Sequence, residues 1–259
     1  MRTLDAAHAL RMDRRSPVLY LRSFQDDSLP DPTLPSMSWI PYRFPRPSFV
    51  KHPYERSVTR VLQRLGPTIC LGRPGERYPE VGAARLYVSH SDWRQAVAYL
   101  MAHAAAVVLT VGRTESLWWE IDTALTTVPR ERLLFFFPYC EGVDLRRSIA
   151  RKYWAFLGLG QVTGTMLGRM DKERQDRYAT FREKMHSHFR GGLPPKLGTS
   201  LFMHFADDGS PKLLETWRPT DKALMWRFSR ISWTQVNLDR TLRPFLKKTF
   251  RSSVPAMAQ

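Results

Sequence analysis

The chain has 259 residues, 43% of them hydrophobic, with 8 Trp and 14 Phe; that allows one large domain with a real core, or one domain plus an appendage. Its 2 cysteines exclude a disulfide scaffold and suit a reducing, cytoplasmic location, and neither sits in a Cys/His spacing that would hold zinc. A formal net charge of +16 favours an anionic partner (nucleic acid, phospholipid or a phosphate-bearing small molecule), although the arginines are spread along the chain as in any basic soluble protein.

Residues 1–16 form an N-terminal arm that contains Asp5 and Asp13 and no long apolar run, so it does not read as a signal peptide. Residues 17–24, PVLYLRSF, are an apolar run closed by polar residues and predict a buried first strand. Residues 25–53 are long, Pro-rich and irregular, the kind of loop that is usually functional or mobile. Tyr54, Val58, Val61, Leu62 and Leu65 then share one helical face. Residues 68–71 predict a second strand, followed by a Gly/Pro loop, GRPGERYPEVGAAR. Ser91 or Asp92 is placed to cap the next helix, whose Trp93, Val97, Leu100 and Met101 form an apolar stripe. Residues 105–111 predict a third strand, a third helix starts near Glu115, and residues 132–137, RLLFFF, predict a fourth strand.

Alternation of helices with continuous apolar strands predicts a doubly wound, mostly parallel α/β sheet, with flavodoxin-like order 2-1-3-4-5 as the simplest arrangement. In that order Cys70 and Cys140 are three strand spacings apart, about 14 Å, too far for a disulfide. The domain spans 17–217, with a helical insertion at about 143–190 in which 144–158 and 171–189 read as helices. The Asp-Gly in ADDG, between apolar runs at 200–205 and 211–217, predicts a fifth strand with a hairpin partner. Residues 218–259 read as a basic, aromatic-rich helical tail. The best membrane candidate, 153–170, is short and interrupted by Gln161 and Arg169, so no transmembrane span is expected.

Ligands of doubly wound sheets bind beyond the carboxyl ends of the strands. Strand one delivers Arg22, Ser23, Phe24, Asp26 and Asp27 there; strand two delivers Gly72, Arg73 and Gly75; strand three delivers Gly112, Arg113 and Glu115, then Trp118, Trp119 and Glu120 one turn on. Arginines and exposed helix-start N–H groups suit phosphate, and carboxylates beside them suit ribose. The same acids also fit the positive end of a helix whatever the function, and the tryptophans also fit core packing. No GxGxxG, GxxxxGK[ST] or GxSxG motif is present, and the 7 His are scattered.

The element order together with "SLWWE" resembles TIR (Toll/interleukin receptor) domains and their bacterial TIR-like and SEFIR relatives, which often carry a Ser-x-Trp-Cys-x-x-Glu-type pattern here. The spacing of Ser116, Trp118, Trp119 and Glu120 differs from it. "LRSFQDD", "GPTICLGRPGE..P..GAARLYV" and "GRTESLWWE" are similar to a bacterial TIR-like family of uncharacterised function, whose members often join this domain to membrane helices. The resemblance covers roughly residues 17–214. It implies cleavage of the nicotinamide–ribose bond of NAD, as substrate rather than cofactor, in bacterial defence or signalling. It makes Glu120 the catalytic carboxylate, with Glu115 as the alternative. Trp118 or Phe24 would stack on a base or on nicotinamide, and Arg22, Arg73 and Arg113 would hold the pyrophosphate. Two other functions remain open: a non-catalytic signalling module that self-associates through TIR-like surfaces, and a basic binder of nucleic acid or a membrane surface.

Overall fold

The runs VLYL, TICL, AVVLT and LLFF are buried along nearly their whole length, which requires cover on both faces. A computed structural model describes residues 5–22, 54–72, 82–138, 161–189, 191–198, 200–215 and 233–253. The elements are α1 (Ala6–Met12), β1 (Val18–Leu21), α2 (Tyr54–Leu62), β2 (Thr68–Leu71), β3 (Ala84–Leu86), α3 (Trp93–His103), β4 (Ala106–Thr110), α4 (Glu115–Thr127), β5 (Leu133–Phe136), α5 (Gln161–Met185), β6 (Phe202–Phe205), β7 (Pro211–Leu214) and α6 (Trp233–Ser253).

Among the described residues the strands form one sheet in the order β3-β2-β1-β4-β5-β6-β7. The pairings from β3 through β5 are parallel, while β6 runs antiparallel to both β5 and β7. The predicted order 2-1-3-4-5 is therefore present as the run β2-β1-β4-β5-β6, extended at each edge. The β6–β7 turn closes with Ala206 N donating to Ser210 O at 2.9 Å, and Gly209 takes φ +76°, a conformation that favours glycine.

The edge strand β3 overlaps the end of the stretch expected to be a loop. It is only three residues long and carries Arg85, whose buried guanidinium donates from Nη1 to Cys70 Sγ at 2.6 Å. So short a run with a central cation has no apolar pattern to read. The Cys70 thiol is buried and forms no disulfide among the described residues, while Cys140 lies outside them.

Alternate strand residues sort into two cores. On one face Leu19, Leu21, Val107, Leu109 and Phe135 pack under α3, α4 and α5. On the other, Val18, Tyr20, Cys70, Val108 and Phe136 pack under α2 and α6. α6 lies in the predicted tail, yet its Leu238, Leu242, Phe245 and Leu246 belong to the same core as Val58 and Val61 of α2. The tail thus supplies half of one helical layer. The N-terminal arm carries α1, with Ala6 and Ala9 buried, and Asp5 bridges to Arg85 of β3. α5 ends near the predicted limit of 189 but starts at Gln161, ten residues before the predicted 171. The predicted 144–158 helix lies outside the described residues. No helix among the described residues is long and apolar enough to cross a membrane.

Candidate functional site

α4 begins where β4 reaches the carboxyl edge of the sheet. Val111 N donates to Phe136 O at 2.8 Å, Gly112 is buried, and Thr114 takes the extended N-cap conformation with no side-chain cap bond. Leu117, Ile121, Ala124 and Leu125 give the helix its core-facing stripe. Successive residues point about 100° apart, so Trp118, Trp119 and Glu120 face three directions.

Trp118 turns toward α5. It is 9% exposed, belongs to the core, and has Lys184 Nζ 4.9 Å from its ring centroid. Trp119 turns toward α3 and meets Trp93 edge-on, with centroids 4.9 Å apart at 77°. Arg94 lies over both indoles, its Cζ 5.6 Å from Trp93 and 5.2 Å from Trp119. Glu120, one residue further round on the α3 side, points back into the protein and is 6% exposed.

Among the described residues no group donates a hydrogen bond to the Glu120 carboxyl. Burial alone pushes it up from 4.5 to about 8, because the charged form loses water and gains nothing in return. It is therefore mostly a neutral acid at pH 7. A carboxyl in this state is a common mark of a functional site. Glu115, by contrast, is exposed in the first turn.

The other predicted site residues divide. Arg113 is 64% exposed and turns to Glu173 of α5 at 3.7 Å, on the far side of α4 from Trp119; Glu173 also binds Arg177 at 3.1 Å. Arg22 follows β1 directly at the same sheet edge. Gly72 donates its N–H to Leu86 O at 2.9 Å, and the Tyr87 ring lies against it so closely that a Cβ would sit 2.3 Å from Cε1. Its lack of a side chain lets the half-exposed Tyr87 ring lie flat against the backbone. Ser23, Phe24, Asp26, Asp27, Arg73 and Gly75 lie outside the described residues. Sequence reasoning missed Trp93 and Arg94 as neighbours of the site. The signal was "DWRQAV", a Trp-Arg pair in the first turn of a helix that starts at the sheet's carboxyl edge. Asp92 stands at that helix's N-cap without capping it; its carboxylate takes a 2.5 Å hydrogen bond from Ser89 Oγ, and the Ser89 and Ser91 hydroxyls hold it below the usual carboxylate range.

Of the histidines, His188 meets Asp122 at 2.9 Å and His103 meets the Tyr99 carbonyl at 2.7 Å, both away from Glu120 on the outer surface. No group of three or more His, Cys, Asp or Glu able to hold a metal occurs among the described residues.

These features define a doubly wound α/β protein with a buried acid at the carboxyl edge of its sheet. No family model, no curated protein and no solved structure matches the chain.

Proposed function

We propose that the protein is a TIR-like domain that cleaves the nicotinamide–ribose bond of NAD or a related nucleotide, with Glu120 as its catalytic carboxylate. The observation that carries this reading is the Glu120 carboxyl, buried on the helix after β4, without a described donor and raised to about 8. A fold has no packing reason to bury an acid there.

The chemistry asks for one such group. The C1′–N1 bond breaks with its electron pair passing to nicotinamide, which leaves as a neutral molecule and needs no acid. Positive charge develops on the ribosyl carbon, water adds there, and the proton is released to solvent. A carboxylate held out of water stabilises that charge far more than one in bulk solvent. It also binds the ribose hydroxyls. The substrate's cationic ring favours the anion, so binding drives Glu120 to release its proton.

The test is incubation of purified protein with NAD, following nicotinamide. Wild type should release it, with kcat/KM rising with pH up to about 8 and level above, because the carboxylate is the active form. Glu120→Gln should lose activity by on the order of a hundredfold or more while keeping its fold. Undiminished release by Glu120→Gln would remove the assignment.

A further inference from the structure

Arg94 is exposed, yet it is held in place. Its guanidinium lies over two indoles contributed by two different helices, Trp93 of α3 and Trp119 of α4. The acid two residues before it, Asp92, is engaged by Ser89 rather than by Arg94. Among the described residues Arg94 forms no ion pair and no hydrogen bond. A guanidinium positioned by π-faces keeps its N–H groups available, and it loses less rotamer freedom on binding than a loose surface arginine. That geometry suits a two-oxygen anion such as phosphate.

Its position adds the second half of the argument. Trp119 precedes Glu120 in the chain, and both lie on the α3 side of α4. Trp93 opens α3 and Trp119 lies in the second turn of α4, so the clamp sits at the carboxyl edge of the sheet. Thr114 leaves the first N–H groups of α4 without a side-chain cap, which keeps this end of the helix electropositive.

We propose that Arg94, clamped by Trp93 and Trp119, anchors the phosphate of the nucleotide whose ribose Glu120 serves. The inference rests on the nucleotide reading of the Glu120 site and names the group that orients the substrate there. Arg94 is a binding and positioning residue. It replaces Arg113, which faces α5, as the arginine for the pyrophosphate.

The test is a calorimetric titration with inorganic pyrophosphate and, separately, ADP-ribose, paired with tryptophan fluorescence, since the clamp's indoles report directly on an anion beside them. The proteins are wild type, Arg94→Ala, Arg94→Lys, Glu120→Gln and Arg60→Ala; Arg60 is an exposed cation on α2, across the sheet. Wild type should bind both probes. Arg94→Ala should bind about tenfold more weakly, Arg94→Lys should fall between, and Arg60→Ala should match wild type. Glu120→Gln should keep pyrophosphate affinity. In turnover, Arg94→Ala should raise KM more than it lowers kcat. Failure of wild type to bind either probe at millimolar concentration overturns the proposal. So does equal weakening by Arg60→Ala, which would mean general attraction to a basic protein. If Arg94 binds the probes but wild type never releases nicotinamide, the anion site stands and the hydrolase reading falls. If nicotinamide is released with KM unchanged in Arg94→Ala, the reverse holds.

Discussion

Glu120→Gln should stabilise the protein, and the gain should grow with pH. The folded carboxyl titrates at about 8 and its ordinary value is 4.5. Below 4.5 both folded and unfolded chains hold the proton, so the acid costs nothing extra. Above it the unfolded chain releases the proton while the folded chain keeps it, and stability falls by about 1.4 kcal/mol per pH unit. The loss reaches about 3 kcal/mol at pH 7 and levels off at about 5 kcal/mol above pH 8. Glutamine has the same shape and no proton to lose. Urea unfolding of both proteins at pH 5, 6, 7 and 8, followed by tryptophan fluorescence, isolates this effect. The stability difference should widen by roughly 2 kcal/mol from pH 5 to pH 7, whatever the glutamine amide itself gains or loses on burial. A difference that stays flat across this range would mean that the Glu120 carboxyl is solvated or paired, and the physical basis for the catalytic role proposed for it would be gone.

Four further substitutions test the packing of the fold. An alanine Cβ at Gly66 would stand 2.2 Å from the Ser16 carbonyl oxygen, where backbone must move, whereas at Gly72 it meets the half-exposed Tyr87 ring, which can swing away. Thermal unfolding should therefore show Gly66→Ala costing about 3 kcal/mol and Gly72→Ala about 1 kcal/mol, with Tyr87→Ala recovering the latter. Arg174 is buried on α5 and donates to the carbonyls of Ser200 and Gly198, both at 2.5 Å. Arg174→Met should cost about 3 kcal/mol in denaturant unfolding, because both carbonyls lose the guanidinium and Gly198 O keeps only the longer bond from Gln175 Nε2 at 3.2 Å.

The central sheet was readable because its strands are covered on both faces. VLYL, TICL, AVVLT and LLFF have no polar side to confuse the pattern, and the helices between them repeat at the helical period. What escaped was structure set by tertiary contact. β3 exists because its backbone pairs with β2 on one side and Asp5 reaches it on the other, and its Arg85 is buried against a thiol. No local pattern announces such a strand. The integration of α6 was hidden for a similar reason. Its leucines read as one face of a basic tail until the sheet beneath them, already half covered by α2, shows what they cover.

The three side chains that open α4 show how far sequence reaches into a site. Their order fixes three directions at about 100° steps, so they cannot all serve one ligand. Trp118 joins α4 to α5, and Trp119 joins α4 to α3. The tryptophans lock the helix on both sides, and a locked helix is what holds an acid in a place it would otherwise leave. An exposed glutamate at a helix start gains from the dipole and costs nothing. Glu120 is turned the other way, into the protein, at a cost of about 3 kcal/mol at neutral pH. Natural chains keep such a cost where it serves function. The motif could name Glu120, but the packing of its two neighbours is what sets the helix that buries the acid, and that burial is what would give it the electrostatic strength the proposed reaction asks for.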